Sequence, residues 1–478
     1  MKERVGVIGA GPAGLAAAHT LGKLGVPVDM FEASRNVGGM ARTIKLWNQK
    51  VDLGPHRFFS ADARVNRLWL EIVGSRYRMV ERQTRIFYKN RFFDYPLQPL
   101  DALSKLGPAE AARCVLSYLL QQFRHSSVTA SFEEWVRERF GRRLFEIFFR
   151  SYTEKLWGIP CENLDADFAA QRIKKLSLYE AVYNALATRP GNRHRTLVDR
   201  FVYPLGGTGS VYCTMADAIQ LQGGSIWKNS PVSRIVPRPD GRLDIQLTTG
   251  VSHTYDHIVS TMPLTDLVRA LPGVSDQALA ACACLKFRNT IVVYLRVDSQ
   301  DLFPDQWIYV HAPDLAVGRI ANFRNWIPDL YGDNPETILS LEFWCDPDDT
   351  LWNQPDALHI EQATRDLRET GLIGNAPISA GYVVRIPFCY PVYRLGYRDH
   401  LKRIQDYLKT IRGLEVIGRS GSFKYNNQDH SLLMGILAAE KLALSRNHDL
   451  WEVNTDDAYH EKSMIDETGL VPRCHSPL

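Results

Sequence analysis

A short apolar run, Arg4-Val-Gly-Val-Ile-Gly9, opens at once into Gly9-Ala10-Gly11-Pro12-Ala13-Gly14 and then into an alanine-rich stretch from Leu15 to Leu24. The run reads as a buried strand and the stretch after it as a helix; a second apolar run, Val26 to Phe31, ends on Glu32. Three glycines at this spacing between strand and helix are the fingerprint of a dinucleotide site in a βαβ unit. Gly9 permits the tight turn, Gly11 lets the main chain approach a pyrophosphate, and Gly14 lets helix and strand pack closely. The pyrophosphate would meet the positive end of the helix, at Ala13 in its first turn. Glu32 is placed to accept hydrogen bonds from an adenosine ribose.

Around this unit the chain has room for two or three packed cores, since it runs to 478 residues. Hydrophobic residues make up 45% and charged residues 23%, the balance of a globular protein rather than a disordered one. A net charge of +4 gives no ground for a nucleic-acid partner or an anionic membrane. The cysteines are scattered, with no CxxC pair and no zinc spacing, so no metal is expected and a cytoplasmic setting is the simplest expectation. No apolar signal segment precedes the first strand, and no run approaches the roughly eighteen apolar residues of a membrane span.

The pattern predicts an α/β chain: a Rossmann-type nucleotide domain assembled from distant pieces, with a helical insertion and an antiparallel β-sheet substrate domain. Residues 1–61 form the first piece of the nucleotide domain and 62–199 the helical insertion, where Ala109 to Phe123 and Phe132 to Leu144 carry apolar residues three and four apart. Residues 200–266 return to the nucleotide domain, with Ile258 to Pro263 as its returning strand. Strand candidates at Thr290–Val297, Trp307–His311, Ile338–Trp344 and Tyr382–Ile386 build the sheet domain, 267–404. Residues 405–450 close the nucleotide domain through a strand at Leu414 and a helix from Leu432 to Leu442. Residues 451–478 read as a polar tail.

The residues after Glu32 narrow the cofactor. Ala-Ser-Arg-Asn-Val-Gly38-Gly39-Met-Ala-Arg42-Thr43 resembles the extended FAD motif of the amine-oxidase and mutase flavoproteins, the superfamily that includes protoporphyrinogen oxidase. Further motifs resemble the UDP-galactopyranose mutases. Val51-Asp-Leu-Gly-Pro-His56-Arg-Phe-Phe-Ser60 is similar to the segment that places a histidine beside the flavin, and Asp94-Tyr95-Pro-Leu-Gln98 to the pair that holds uracil. Arg150-Ser-Tyr152-Thr-Glu-Lys-Leu-Trp157 is similar to the helix lining the sugar pocket, and Gly418-Arg419 through Tyr425-Asn-Asn427-Gln428-Asp429-His430 is the most specific match.

The resemblance implies His56, Arg172 and Arg319 as catalytic groups. It implies Tyr95, Gln98, Trp157, Tyr309, Tyr390 and Tyr425 as substrate contacts. Gly9, Gly11, Ala13, Gly14, Glu32, Gly38, Gly39, Arg42, Val236, Gly418, Arg419, Asn427 and Gln428 would hold FAD without a covalent bond. Its reduced form would be active, and NAD(P)H would be the reductant. The implied substrate is a UDP-sugar, UDP-galactose first, whose anomeric carbon is attacked by N5 of reduced flavin.

On their own chemistry the same residues are compatible with this and with less. Arginine forks suit diphosphates, and tyrosine hydroxyls donate to phosphate oxygens. A histidine after a strand can equally be a hydrogen-bonded structural group, Trp157 on a helix can be core, and Arg172 and Arg319 can be ordinary ion pairs. The sequence departs from the mutase pattern at Pro55, Arg57 and Thr153, and in the basic loop Ala187 to Arg195. An oxidase or desaturase on the same fold is therefore the competing expectation, with a non-catalytic flavoprotein behind it.

Overall fold

The computed structural model describes residues 3–97, 99–122, 130–167, 200–454, 463–466 and 469–472. Apolar runs of three or four residues between turns are too short for helices and do not alternate, so they form strands buried on both faces. Val5–Ile8, Val28–Phe31, Ser225–Trp227, His257–Ser260 and Leu414–Val416 make one five-stranded parallel sheet. Val5–Ile8 lies between Val28–Phe31 and His257–Ser260, with Ile8 opposite Phe31 on one side and Ser260 on the other.

Helix Pro12–Lys23 packs between helices Thr208–Leu221 and Gln428–Leu444. Leu15, Leu21, Met30, Met215, Leu432 and Met434 share its core. A three-stranded antiparallel sheet, Val232–Pro237, Leu243–Leu247 and Ser252–Tyr255, lies against the first strands through Ile245 and Tyr255.

The chain divides into two units, Met1–Val80 with Phe201–Lys286 and Tyr397–Leu478, and Glu81–Arg200 with Phe287–Gly396. Helix Ala63–Val73 falls in the first unit rather than opening a helical insertion, because Leu68, Trp69 and Ile72 enter the nucleotide-domain core. The stretch read as a polar tail contains an antiparallel pair, Ser463–Asp466 with Gly469–Pro472, and Ile465 joins that core too.

The second unit holds a seven-stranded sheet in the order Ile378–Pro391, Phe287–Val297, Thr337–Cys345, Arg319–Asn322, Trp307–Val310, Thr84–Tyr88, Arg91–Asp94. Neighbours are antiparallel except Trp307–Val310 with Thr84–Tyr88. The last two strands come from the stretch expected to be helical, where Arg85-Ile-Phe-Tyr88 and Arg91-Phe-Phe-Asp94 are too short for periodicity to reveal.

Helix Pro108–Gln122 crosses helix Phe132–Phe145 at Gly141, where any side chain would strike the main chain of Tyr118. Ser131 caps the second helix by a reciprocal pair with Glu134. A π turn, Glu146–Arg150, then re-aims the chain into the short helix Ser151–Trp157. No helix among the described residues is long and apolar enough to cross a membrane, and no group of histidine, cysteine or acidic side chains among them could hold a metal ion.

Candidate functional site

The glycine turn of the first unit is built as its spacing requires. Gly9 has φ +93°, and an added Cβ there would meet Thr261 Oγ1, which is held by donating to Ile8 O at 2.9 Å. The helix begins with Pro12, whose missing N–H costs nothing at that position. Gly38 N donates to Ala10 O at 2.7 Å, and Arg42 Nε donates to Gly39 O at 2.9 Å, so the second glycine pair is folded onto the first turn. An added Cβ on Gly11 would find only Gly39 Cα, at 3.9 Å. The protein therefore leaves open the space that a pyrophosphate would fill. Gly418 closes the far side, where an added Cβ would lie 3.2 Å from Ala13 Cβ. These residues fit FAD.

Glu32 is already engaged: Ala10 N donates to its Oε2 at 2.7 Å and Ser34 N to its Oε1 at 2.9 Å. Its carboxylate is thus fixed by two amides, and a ribose would share oxygens that are already accepting. Val236 is half-buried on strand Val232–Pro237, opposite Asp244. Asn427 starts the last helix and its N–H donates to His430 Nδ1 at 3.2 Å. Arg419 lies over the Tyr425 ring at 4.2 Å and donates to Asn426 O.

The loop carrying His56 is slung from both ends. Strand Gln49–Asp52 leads into it, and beyond it Phe58 stacks on Trp69 at 4.7 Å. Between them Thr208 Oγ1 donates to His56 O at 3.0 Å and Gln428 Nε2 to Arg57 O at 3.4 Å. Asp52 is fully buried, and its carboxylate accepts from Thr43 Oγ1, from Tyr203 OH at 2.7 Å and from Thr208 N at 3.2 Å. Burial pushes Asp52 up to about 6 even against those hydrogen bonds.

In the second unit three adjacent strands align one polar row. Tyr309 stands opposite Arg319, and Arg319 opposite Glu342. Arg319 grips Glu342 with two hydrogen bonds, Nε to Oε1 at 2.8 Å and Nη2 to Oε2 at 2.5 Å. The side chains are 15% and 3% exposed. Burial alone would lower Arg319, but the Glu342 carboxylate and the nearby Tyr390 and Tyr152 more than reverse it, so the guanidinium stays charged.

Tyr95, 41% exposed, sits 4.9 Å from the Tyr309 ring. Tyr152 stacks on His311 at 4.7 Å and meets Tyr309 and Trp344 edge-on. Burial, reinforced by the Lys155 cation, pushes His311 down to about 3, so this imidazole is neutral. Lys155 itself donates to the carbonyls of Val310, Ala312 and Val317, which holds the loop between the two strands.

The family profile of flavin-containing amine oxidoreductases matches residues 12–398. The chain belongs to that family. It is an FAD-dependent flavoenzyme of the amine oxidase superfamily. A protoporphyrinogen oxidase of Arabidopsis thaliana is 32% identical over 147 residues, 29% of this chain and 29% of that protein. The chain thus matches less than a third of the length of this relative. A reduced UDP-galactopyranose mutase has the same fold, with a TM-score of 0.84 and 22% identity over 95% of this chain and 99% of that one. A solved protoporphyrinogen oxidase candidate from Exiguobacterium sp. 255-15 follows at 0.73 and 19%, over 93% and 100%.

Within this flavoenzyme the structure brings Tyr95, Tyr309, Arg319 and Tyr390 into one cluster of the second unit, while His56, Arg419 and Tyr425 lie in the first. Trp157, expected to line a sugar pocket, has no exposed surface; it packs behind Tyr390 and Tyr393 as core. The side chain of Gln428 accepts from Tyr212 OH at 2.6 Å and donates to Arg57 O at 3.4 Å. Gln98, Arg172 and the basic loop 187–195 lie outside the described residues. Sequence reasoning missed Glu342, Asp52 and His311. A charged residue inside an apolar strand, as in Thr337-Ile-Leu-Ser-Leu-Glu342-Phe-Trp, was a signal for the first.

Proposed function

We propose that this flavoenzyme is a UDP-hexose mutase of the UDP-galactopyranose mutase type, interconverting pyranose and furanose forms with UDP-galactose as the first candidate. The observation that carries the reading is the Arg319 cluster. Among the described residues the Glu342 pair uses two of the five guanidinium N–H groups of a fixed, nearly buried cation beside tyrosines. That arrangement suits a diphosphate, whose charge grows as it leaves the sugar. A simple amine substrate carries no anion for such a cation to hold. The likeness to a reduced mutase along almost the whole chain supports the same reading.

Held at Gly9, Gly11, Gly39 and Gly418, FAD in its reduced form would supply nucleophilic chemistry at N5 with no net oxidation. The chain's own part is to bind and orient. Arg319, Tyr309 and Tyr390 hold the diphosphate and Tyr95 holds uracil, while in the nucleotide unit His56 stands beside the flavin. NAD(P)H is the reductant, and the enzyme works in the cytoplasm.

The family and the stretch shared with a protoporphyrinogen oxidase favour a second reading, an oxidoreductase. An anaerobic assay separates the two. Enzyme reduced with dithionite or NADPH is offered several UDP-sugars, and pyranose and furanose are resolved by chromatography. Many turnovers with the flavin still reduced are expected. No conversion of any UDP-sugar, with an amine or a polycyclic substrate bleaching the oxidised flavin, would overturn the mutase reading.

A further inference from the structure

We infer that Asp52 and Thr208 are positioning residues for His56, acting as a relay that fixes the loop on which the imidazole rides. The inference rests on the reading that places His56 beside the flavin. Every part of the relay lies in the first unit. The start of helix Thr208–Leu221 is held from strand Gln49–Asp52, since Thr208 N donates to Asp52 and Gly209 N donates to Thr43 Oγ1, which itself donates to Asp52. The Thr208 hydroxyl also lies within reach of the Asp52 carboxylate, and it donates to His56 O. One residue thus ties a buried carboxylate to the histidine's own peptide.

A second strap repeats the logic one turn along the same helix. Tyr212 OH fixes Gln428 Oε1, and Gln428 Nε2 reaches Arg57 O. Two consecutive carbonyls of an otherwise irregular loop are therefore held by side chains from the starts of two helices. If the carboxylate only capped a helix, the amides of Thr208 and Gly209 would suffice. The hydroxyl bond to His56 adds nothing to the cap, and it constrains where the imidazole begins. Pro55 stiffens the same loop by fixing φ immediately before the histidine.

The test uses the full-length FAD-loaded protein with Thr208→Val, Thr208→Ser, His56→Ala and the Thr208→Val/His56→Ala pair. Valine keeps the volume and the backbone amide that Asp52 holds, and loses only the hydroxyl. Thr208→Val should retain a full complement of FAD and an unchanged KM for the UDP-sugar. Its kcat should fall about tenfold, the scale of a small misplacement of a reacting group. Thr208→Ser should restore kcat. In the His56→Ala background Thr208→Val should cost nothing more.

The midpoint potential of the bound flavin is measured in the same proteins. A wild type inert toward UDP-sugars would remove the mutase reading and leave this arm intact. Thr208→Val should then shift the potential in the same direction as His56→Ala and add nothing to it. Additive effects of the two substitutions would overturn the inference, as would wild-type turnover and potential in either Thr208→Val or His56→Ala.

Discussion

Two neighbouring glycines allow the demand of the fold to be separated from the demand of the cofactor. At Gly14 an added Cβ would lie 2.0 Å from Gly9 O and 3.4 Å from Val7 Cγ1. The first of these is deep inside van der Waals contact, and a main-chain oxygen in a tight turn cannot retreat. Overpacking of this kind costs about 1–3 kcal/mol, and this site belongs at the upper end. Alanine inside a helix recovers up to about 1 kcal/mol over glycine, so Gly14→Ala should destabilise the protein by about 2 kcal/mol.

Gly11 differs in every respect. Its φ and ψ of −81° and −178° suit any residue, and the nearest atom to an added Cβ is 3.9 Å away. Gly11→Ala should therefore leave the stability of the apoprotein within about 1 kcal/mol of wild type. The methyl would occupy the place of the pyrophosphate, so FAD affinity should fall at least about 100-fold, which is roughly 2.7 kcal/mol. Urea unfolding of the apoproteins and titration with FAD, followed by quenching of flavin fluorescence, read the two effects apart. A Gly11→Ala protein that binds FAD like wild type, or that is destabilised as much as Gly14→Ala, would refute the assignment of the open space to the cofactor.

Arg319→Ala should abolish most of the affinity for UDP in calorimetry and leave FAD binding unchanged. It should also cost about 3–5 kcal/mol in denaturant unfolding, because Glu342 is left buried without its cation; Arg319→Leu with Glu342→Leu should recover the stability but not the UDP affinity. Asp52 should impose a pH slope. Its folded value of about 6 exceeds the ordinary 3.8, so the native state keeps a proton that the unfolded chain has released. Its contribution is therefore complete below about pH 4 and is lost as pH rises through 6, a fall of about 3 kcal/mol at roughly 1.4 kcal/mol per unit. The difference in unfolding free energy between wild type and Asp52→Asn, measured from about pH 3 to about pH 7, should decline by that amount; a flat difference would show that the carboxylate is not forced toward its neutral form.

The nucleotide half was legible because its information is local. A strand, a glycine turn and a helix sit within Val5 to Lys23, and each glycine answers a steric demand within a few residues of itself. The strands at Thr337 and Phe287 were legible for the same reason, each being largely apolar. Thr84–Tyr88 was not, since its identity as a strand depends on Trp307–Val310, more than two hundred residues away. The candidate site divided likewise. Arg319 and the tyrosines could be named from motifs, but that Glu342 fixes Arg319 follows only from strand register, and that Trp157 is core follows only from packing. In the sequence Asp52 is one acidic residue within the motif Val51 to Ser60. Only the fold converges Thr43, Tyr203 and Thr208 on it.

The floor of the nucleotide turn also sets a schedule for the chain's birth. The five-stranded sheet is incomplete until Leu414–Val416 has joined His257–Ser260, and helix Pro12–Lys23 lacks one flank until Gln428–Leu444 arrives. Side-chain room at Gly435 is so small that an added Cβ would stand 2.4 Å from Ala13 O, so the last helix seats directly on the first turn of the glycine helix. A ribosome has therefore made most of the residues before the opening motif acquires its partner. During that interval the fingerprint exists without a pocket, and its apolar neighbours stand open to water and to other chains. Uptake of FAD then waits on the helix Gln428–Leu444, and flavin content in a lysate would count chains that have reached it.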